Sequence, residues 1–299
     1  MKFLVIGASG FIGSHIFNHI REMGFYVIGT QSKSNRSELV TFDLLKDRIH
    51  EKIDPAFFKT DEKVFVIICA ALSQIDRCLT EKEISYKINV KNTIQLIKDI
   101  REYGARAVFL STSCVYNGEL GYYNEESIHD PANEYGRQKD VVEQFLLKNA
   151  PEALILRLDK IVSDDIDDEK HMFADWYKKI QENKPIICIE QLFSPTFVRD
   201  VARSIVEACQ RQLSGAYNVA NPEFFTRVEL ARQFMAAMGK KVDILLKPHE
   251  EFHFADIRVK NSYLDGSKFR KDTALAFSSM REVYDSFLQK KESAHGASL

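Results

Sequence analysis

No apolar run in this 299-residue chain approaches the ~18 residues that would cross a bilayer as a helix, so no membrane span is expected. The apolar stretch Met1 to Ile6 is too short for a secretory core, and Gly7, Gly10 and Gly13 follow it at once. It reads as a strand rather than a targeting segment. Neither sign of charge dominates: 41 Lys and Arg stand against 43 Asp and Glu, a net charge of −2. That balance gives no sign of a basic surface for nucleic acid or an anionic membrane, and neither partner is expected. Cysteine is sparse and odd in number: Cys69, Cys78, Cys114, Cys188 and Cys209 show no CxxC and no Cys/His ligand spacing. A disulfide framework and a zinc site are therefore not expected, and reduced thiols in a cytoplasmic protein are. The acidic run Ser163 to Glu169 lacks the spacing of a calcium loop and reads as a solvated loop. No metal site and no internal repeat are expected.

What is present is strand–helix alternation. Strands are expected at Phe3–Ile6, Tyr26–Gly29, Leu39–Phe42, Val64–Cys69, Ala107–Leu110 and Leu154–Leu158. Several are unbroken apolar runs, as parallel strands covered on both faces require. Helices are expected at Phe11–Met23, at Ile84–Tyr103 with Gly104 as C-cap, and at Glu134–Lys148. Further on, a helix is expected at Phe197–Gln210 and a strand at Ala216–Ala220. Thr226–Met238 reads as a helix with Thr226 as N-cap, Glu229 completing a capping box and Gly239 closing it. The pattern implies an α/β fold: a doubly wound parallel sheet with a smaller C-terminal substrate-binding lobe. Residues 1–160 would form the dinucleotide-binding domain, with about 186–220 packing back on it. Residues 161–185 and 221–285 would form the lobe, and Lys290 to Leu299 a frayed tail.

The first site motif is Gly7-Ala8-Ser9-Gly10-Phe11-Ile12-Gly13. A strand, a glycine turn and a helix present backbone N–H groups to a pyrophosphate at the helix N-terminus. Gly7 permits the tight turn, Gly10 the close approach of phosphate, and Gly13 helix–sheet packing. The spacing is GxxGxxG rather than GxGxxG, and it is the strand before and helix after that give it weight. Where the second strand ends, an acid would bond the ribose 2′-hydroxyl of NAD; the chain has Thr30-Gln31-Ser32-Lys33-Ser34-Asn35-Arg36. Ser32, Lys33 and Arg36 could meet a 2′-phosphate, so NADP(H) is favoured and NAD(H) stays open. Asp43, with Leu44 beside it, could accept from the adenine amino group or simply start the next helix.

The second motif is Tyr135-Gly136-Arg137-Gln138-Lys139. Tyr135 and Lys139, four apart, share a helix face. A phenol is a poor acid–base group near neutrality unless an ammonium favours its phenolate. Ser111-Thr112-Ser113-Cys114 puts hydroxyls at the carboxyl end of the fifth strand, where α/β sheets bind ligands and where a second donor could polarise a carbonyl.

These residues together resemble the extended short-chain dehydrogenase/reductases that act on nucleotide sugars, over nearly the whole length. Cys69-Ala70-Ala71 is similar to the family's fourth-strand ending, Tyr86 to Thr93 to the helix after it, and Thr112, Tyr135 and Lys139 to its catalytic set. Within that superfamily the closest resemblance is to the dTDP-4-dehydrorhamnose reductase group. It is carried by Arg258-Val259-Lys260-Asn261-Ser262-Tyr263-Leu264-Asp265 and by Ser194-Pro195-Thr196-Phe197-Val198-Arg199-Asp200.

The resemblance implies cofactor contacts from Gly7, Ser9, Gly10, Phe11, Ile12, Gly13, Ala70, Ala71, Asn89, Tyr135 and Lys139. It implies substrate contacts from Ser113, Cys114, Thr196 and Arg258. It also implies a nucleotide-sugar substrate and, as an expectation only, a homodimer. Two departures stand out: Ser113 and Cys114 where dehydratases carry acids, and Leu158-Asp159-Lys160-Ile161-Val162 where the reductases place an aromatic sugar contact.

The expectation is NADPH-dependent reduction of a 4-keto nucleotide sugar, with Tyr135 as proton donor. One alternative is an epimerase or epimerase/reductase using Cys114 as base, with His129 or His171 as partner acid; read plainly, Cys114 is a small buried thiol. Another is a non-catalytic regulatory subunit similar to the methionine adenosyltransferase β subunit.

Overall fold

The computed structural model describes residues 1–167 and 171–296, with side chains described as far as Lys291. Its centre is a seven-stranded sheet, every neighbouring pair parallel. Six strands, β1 (Lys2–Ile6), β2 (Tyr26–Gln31), β3 (Val40–Thr41), β4 (Val64–Ile68), β5 (Arg106–Thr112) and β6 (Leu154–Leu158), come from residues 1–158. The sheet runs β3-β2-β1-β4-β5-β6 and is closed beside β6 by Gly215–Asn218. The order reverses between β1 and β4, and a ligand crevice opens at the carboxyl ends there.

The sheet is covered on both faces because its strands carry apolar side chains on both. Phe3 and Val5 point into one core with Phe17, Ile20 and Val201, under helix α1 (Phe11–Glu22) and helix Val198–Gln210. Leu4 and Ile6 point into the other, with Ile97, Ile100, Val142 and Leu146. This is the period-two alternation of a strand with both faces buried. A third apolar cluster, around Phe173, Trp176, Phe234 and Phe287, lies outside the sheet. Thr226 and Glu229 form the expected capping box, and Gly239 closes that helix at φ +65°.

The structure corrects three expectations. The helix expected at Ile84–Tyr103 is Lys82–Tyr86, a π turn over Lys87–Asn92, and Thr93–Glu102. The Thr93 hydroxyl donates to the Ile88 carbonyl five residues back, at 2.9 Å, and Asn89 turns inward. Such π turns cluster near functional sites.

The chain expected to fray from Lys290 is part of a helix, Met280–Gly296, with Met280, Val283, Tyr284 and Phe287 buried along one stripe. The acidic loop is not wholly solvated. Asp164 is 0% exposed and accepts from Arg199, Ser286 and Lys290. Asp168 and Glu169 lie outside the described residues.

Two parallel pairs appear where no strand was read: Lys160–Val162 with Pro195–Phe197, and Ile186–Ile189 with Ile244–Lys247. Each is too short to show a period, and each forms one wall of the crevice.

Candidate active site

Gly7 ends β1 at φ +88° and donates its N–H to the Thr30 hydroxyl at 3.0 Å. A side chain at Gly13 would start 2.2 Å from the Gly7 carbonyl oxygen, so only glycine lets α1 sit on the turn. Gly10 is the N-cap residue, extended and exposed, and no side chain caps α1. The first amides of a helix have no partner within it. Those of Phe11, Ile12 and Gly13 are therefore open to an anion, with Ser9 half-buried beside them. Ala70 bonds the Ile6 carbonyl at 2.9 Å and packs against Gly7; Ala71 follows, partly exposed. The cradle fits a dinucleotide pyrophosphate.

At the end of β2 the Gln31 side chain is buried. It holds the loop, accepting from Ser34 and the Arg36 amide and donating to the Arg36 and Leu39 carbonyls. Ser32 and Lys33 are exposed. Arg36 is paired with Glu38 at 2.7 Å, a carboxylate that the sequence reading passed over. Asp43 caps a turn, accepting from the Leu45 amide at 2.9 Å, and Leu44 is buried with its carbonyl on Asn92.

The Tyr135 helix, Glu134–Asn149, is capped by Asn133, whose side chain accepts from the Gly136 amide at 2.8 Å. A side chain at Gly136 would start 1.9 Å from the Cys114 carbonyl oxygen. Gly136 thus lets this helix touch the turn Ser113–Val115 that follows β5. The close approach of Gly136 was legible only as the residue after Tyr135.

Lys139 is 4% exposed. Its ammonium donates to the Leu110 carbonyl at 2.7 Å, 4.5 Å from the centre of the Phe109 ring and 5.9 Å from that of Tyr135. Burial pulls it down to about 8. Burial pushes the Tyr135 phenol well above its ordinary value, with Cys114 and Cys78 adding to the effect. Behind Lys139, Ser111 bonds Glu143, which is paired with the buried Arg157 at 2.7 Å.

Asn89, expected at the cofactor, is instead buried as a brace. Its side chain bonds both the amide and carbonyl of Leu72 at 2.8 Å and donates to Gln138 at 2.8 Å. Thr196, expected at the substrate, is 0% exposed and accepts from the Asn221 amide.

Thr112, Ser113, Cys114, Tyr135 and Arg258 line one cavity of about 510 Å³. It adjoins a wider one of about 850 Å³ that shares Lys160, Arg227 and Arg258 with it and is walled by Phe11 and Trp176. The Thr112 hydroxyl accepts from the Cys114 amide at 3.2 Å, and Ser113 donates to Asp159 at 2.9 Å. Burial holds Asp159 up at about 6, and it also accepts from the Ser194 amide. Arg258 is paired with Asp76 at 2.7 Å and lies over Phe254.

Burial pushes the Cys114 thiol up, and no histidine lines the smaller cavity among the described residues. His129 is paired with Asp140 and His171 stacks on Phe11. Lys160, Arg227 and Asp159 were missed as site residues. The departure at Leu158–Val162 was the one signal for Lys160, and none existed for Arg227.

The sheet, the glycine turn and the Tyr135–Lys139 helix define a Rossmann-type fold of the short-chain dehydrogenase/reductase class. The chain belongs to the RmlD substrate binding domain family, whose profile matches residues 1–293. It is similar to a hypothetical dTDP-4-dehydrorhamnose reductase from Sulfolobus tokodaii, 27% identical, with a TM-score of 0.81 over 93% of this chain and 96% of that one. It is similar to dTDP-4-dehydrorhamnose reductase from Bacillus anthracis in complex with NADP, 22% identical, with a TM-score of 0.82 over 97% and 99%. It is also 27% identical to methionine adenosyltransferase 2 subunit beta of Xenopus tropicalis, over 90% of this chain and 81% of that protein.

Proposed function

We propose that this protein is an NADPH-dependent reductase of a keto group on a nucleotide-linked sugar. The observation that carries the reading is the shared wall: Tyr135 and Thr112 line one cavity, and Lys139 lies beneath Tyr135, anchored by Leu110. A dinucleotide bound at Gly7–Gly13 supplies the hydride, and the Lys33 and Arg36 loop is suited to its 2′-phosphate. The family and the reductases of the same fold support the substrate class. The dTDP form and a 4-keto position come from the resemblance.

The roles of this chain's residues follow from their chemistry. The Thr112 hydroxyl donates a hydrogen bond to the ketone oxygen, where negative charge develops as hydride reaches the carbon. Tyr135 gives its phenolic proton to that oxygen, completing the alcohol. Lys139 in its protonated form stabilises the phenolate left behind. Gly136 fixes the distance between donor and hydroxyl by letting the helix meet the turn that follows β5. Cys114 is not the base of an epimerase in this reading, since its thiol is buried and, among the described residues, no histidine shares its cavity.

The test is consumption of NADPH with a panel of 4-keto dTDP-, UDP- and GDP-sugars, each made in situ. Turnover on one of them supports the reading and names the nucleotide; no turnover on any, with NADPH bound, contradicts it. The likeness to the methionine adenosyltransferase subunit favours a second reading, a non-catalytic regulatory chain. Stable co-elution with a methionine adenosyltransferase catalytic chain, without NADPH turnover, would favour it.

A further inference from the structure

Lys160 and Arg227 enter the cavity from segments far apart in sequence, and neither meets a carboxylate. Lys160 begins the strand Lys160–Val162, directly after Asp159, and among the described residues its ammonium makes no hydrogen bond and no ion pair. Arg227 begins the helix Arg227–Met238. One of its terminal nitrogens donates to Gln191 at 2.9 Å and the other lies 3.7 Å from the Met172 sulfur, while its Nε is buried without a partner. A buried guanidinium donor left without an acceptor is costly.

The nearby carboxylates are all engaged elsewhere. Asp159 holds Ser113 and Ser194, Asp76 holds Arg258, and Asp175 holds Lys179. With Arg258 held by Asp76, the wall that carries Tyr135 and Thr112 presents Lys160 and Arg227 against one carboxylate among the described residues, Asp159. Burial pulls Lys160 down to about 8 and the nearby Arg227 adds to the pull, with the adjacent Asp159 opposing it in part, so an arriving anion would relieve both cations.

We infer that Lys160 and Arg227 bind a carboxylate carried by the sugar itself, so that the substrate is an acidic, uronate-type sugar nucleotide. The inference rests on the nucleotide-sugar reading above and narrows its substrate class. A carboxylate has two oxygens, one for the Lys160 ammonium and one for the Arg227 guanidinium, both of which line the cavity. A neutral sugar would leave both cations desolvated and unmatched. The one other anion of such a substrate is its diphosphate, and the experiment separates the two.

Binding of UDP-glucose, UDP-glucuronate, their dTDP counterparts and the free nucleoside diphosphates is measured by calorimetry on the full chain with NADP⁺ present. Two charge-assisted hydrogen bonds predict a preference for glucuronate over glucose of at least ~10-fold. In Lys160→Met and in Arg227→Gln that preference falls to about one, and Lys160→Arg restores part of it. Equal affinity for the two sugars in the wild type overturns the inference alone. So does an equal loss of both sugars and of the free diphosphate in Lys160→Met, which would assign the cations to the diphosphate. Absence of binding by every nucleotide ligand overturns the inference together with the reading beneath it.

Discussion

Gly136 and Cys114 meet backbone to backbone: the carbonyl oxygen of Cys114 occupies the space that a side chain on Gly136 would need, 1.9 Å from its Cβ position. The proposed catalytic geometry depends on this contact, because it joins the helix of Tyr135 to the turn that follows Thr112. Alanine is a better helix former than glycine by about 1 kcal/mol, so Gly136→Ala in an open helix would stabilise. Here the overlap reverses the sign. Gly136→Ala is expected to lower stability by about 1–3 kcal/mol and to lower kcat more than it raises KM, read by denaturant midpoint and steady-state kinetics.

Lys139 gives a pH dependence in two readouts. Burial lowers it from an ordinary 10.5 to about 8, so between those values the unfolded chain holds a proton that the folded chain has lost. Stability contributed by this group therefore rises with pH from about 8 to about 10.5, by on the order of 3 kcal/mol at most, and Lys139→Met lacks that rise. Activity moves the other way. The phenolate of Tyr135 needs the ammonium, so the kcat for reduction falls as pH climbs through about 8. A profile of Lys139→Met with the same falling limb would contradict the assignment.

Asp164 ties the C-terminal helix to the rest of the chain through Lys290 and Ser286, with Arg199 on its other side. These partners hold its carboxyl below the usual range despite burial. Its contribution is thus present above the ordinary carboxylate pKa and is lost as pH falls through the lowered one. Asp164→Ala removes the buried acceptor of two half-exposed cations and of Ser286, and is expected to cost about 1–2 kcal/mol near neutrality, measured by urea unfolding. The difference from wild type should shrink in acid.

Glu38 restrains Arg36 at the loop after β2. If that loop meets a 2′-phosphate, Glu38→Gln frees the guanidinium and lowers KM for NADPH, while Arg36→Ala raises it ~10-fold or more. KM for NADH should change little in either variant. Parallel changes for the two cofactors would remove the 2′-phosphate role.

The cofactor end of this fold is legible in the sequence because its determinants are local. Gly7, Gly10 and Gly13 follow a strand at once, Tyr135 and Lys139 are one turn apart, and Thr226 and Glu229 cap their own helix. What stayed hidden is long-range. Lys160 and Arg227 reach one cavity only after Lys160–Val162 pairs with Pro195–Phe197 and Phe225–Thr226 pairs antiparallel with Leu192–Phe193. Asp164 looks like part of a solvated acidic run until the helix carrying Lys290 folds over it. Asn89 and Thr196 sit in motifs that resemble ligand contacts, yet both are braces. The sequence carries their residue types and spacing but not the loop or turn each one holds.

The central claim is that Tyr135 delivers the proton. Its most direct test is kcat for NADPH-dependent ketosugar reduction by Tyr135→Phe, with NADPH binding followed in parallel by nucleotide fluorescence. A loss of ~10²-fold or more in kcat, with NADPH affinity kept within a few-fold, is the expected result. A variant that binds NADPH and reduces the sugar at the wild-type rate would contradict the account.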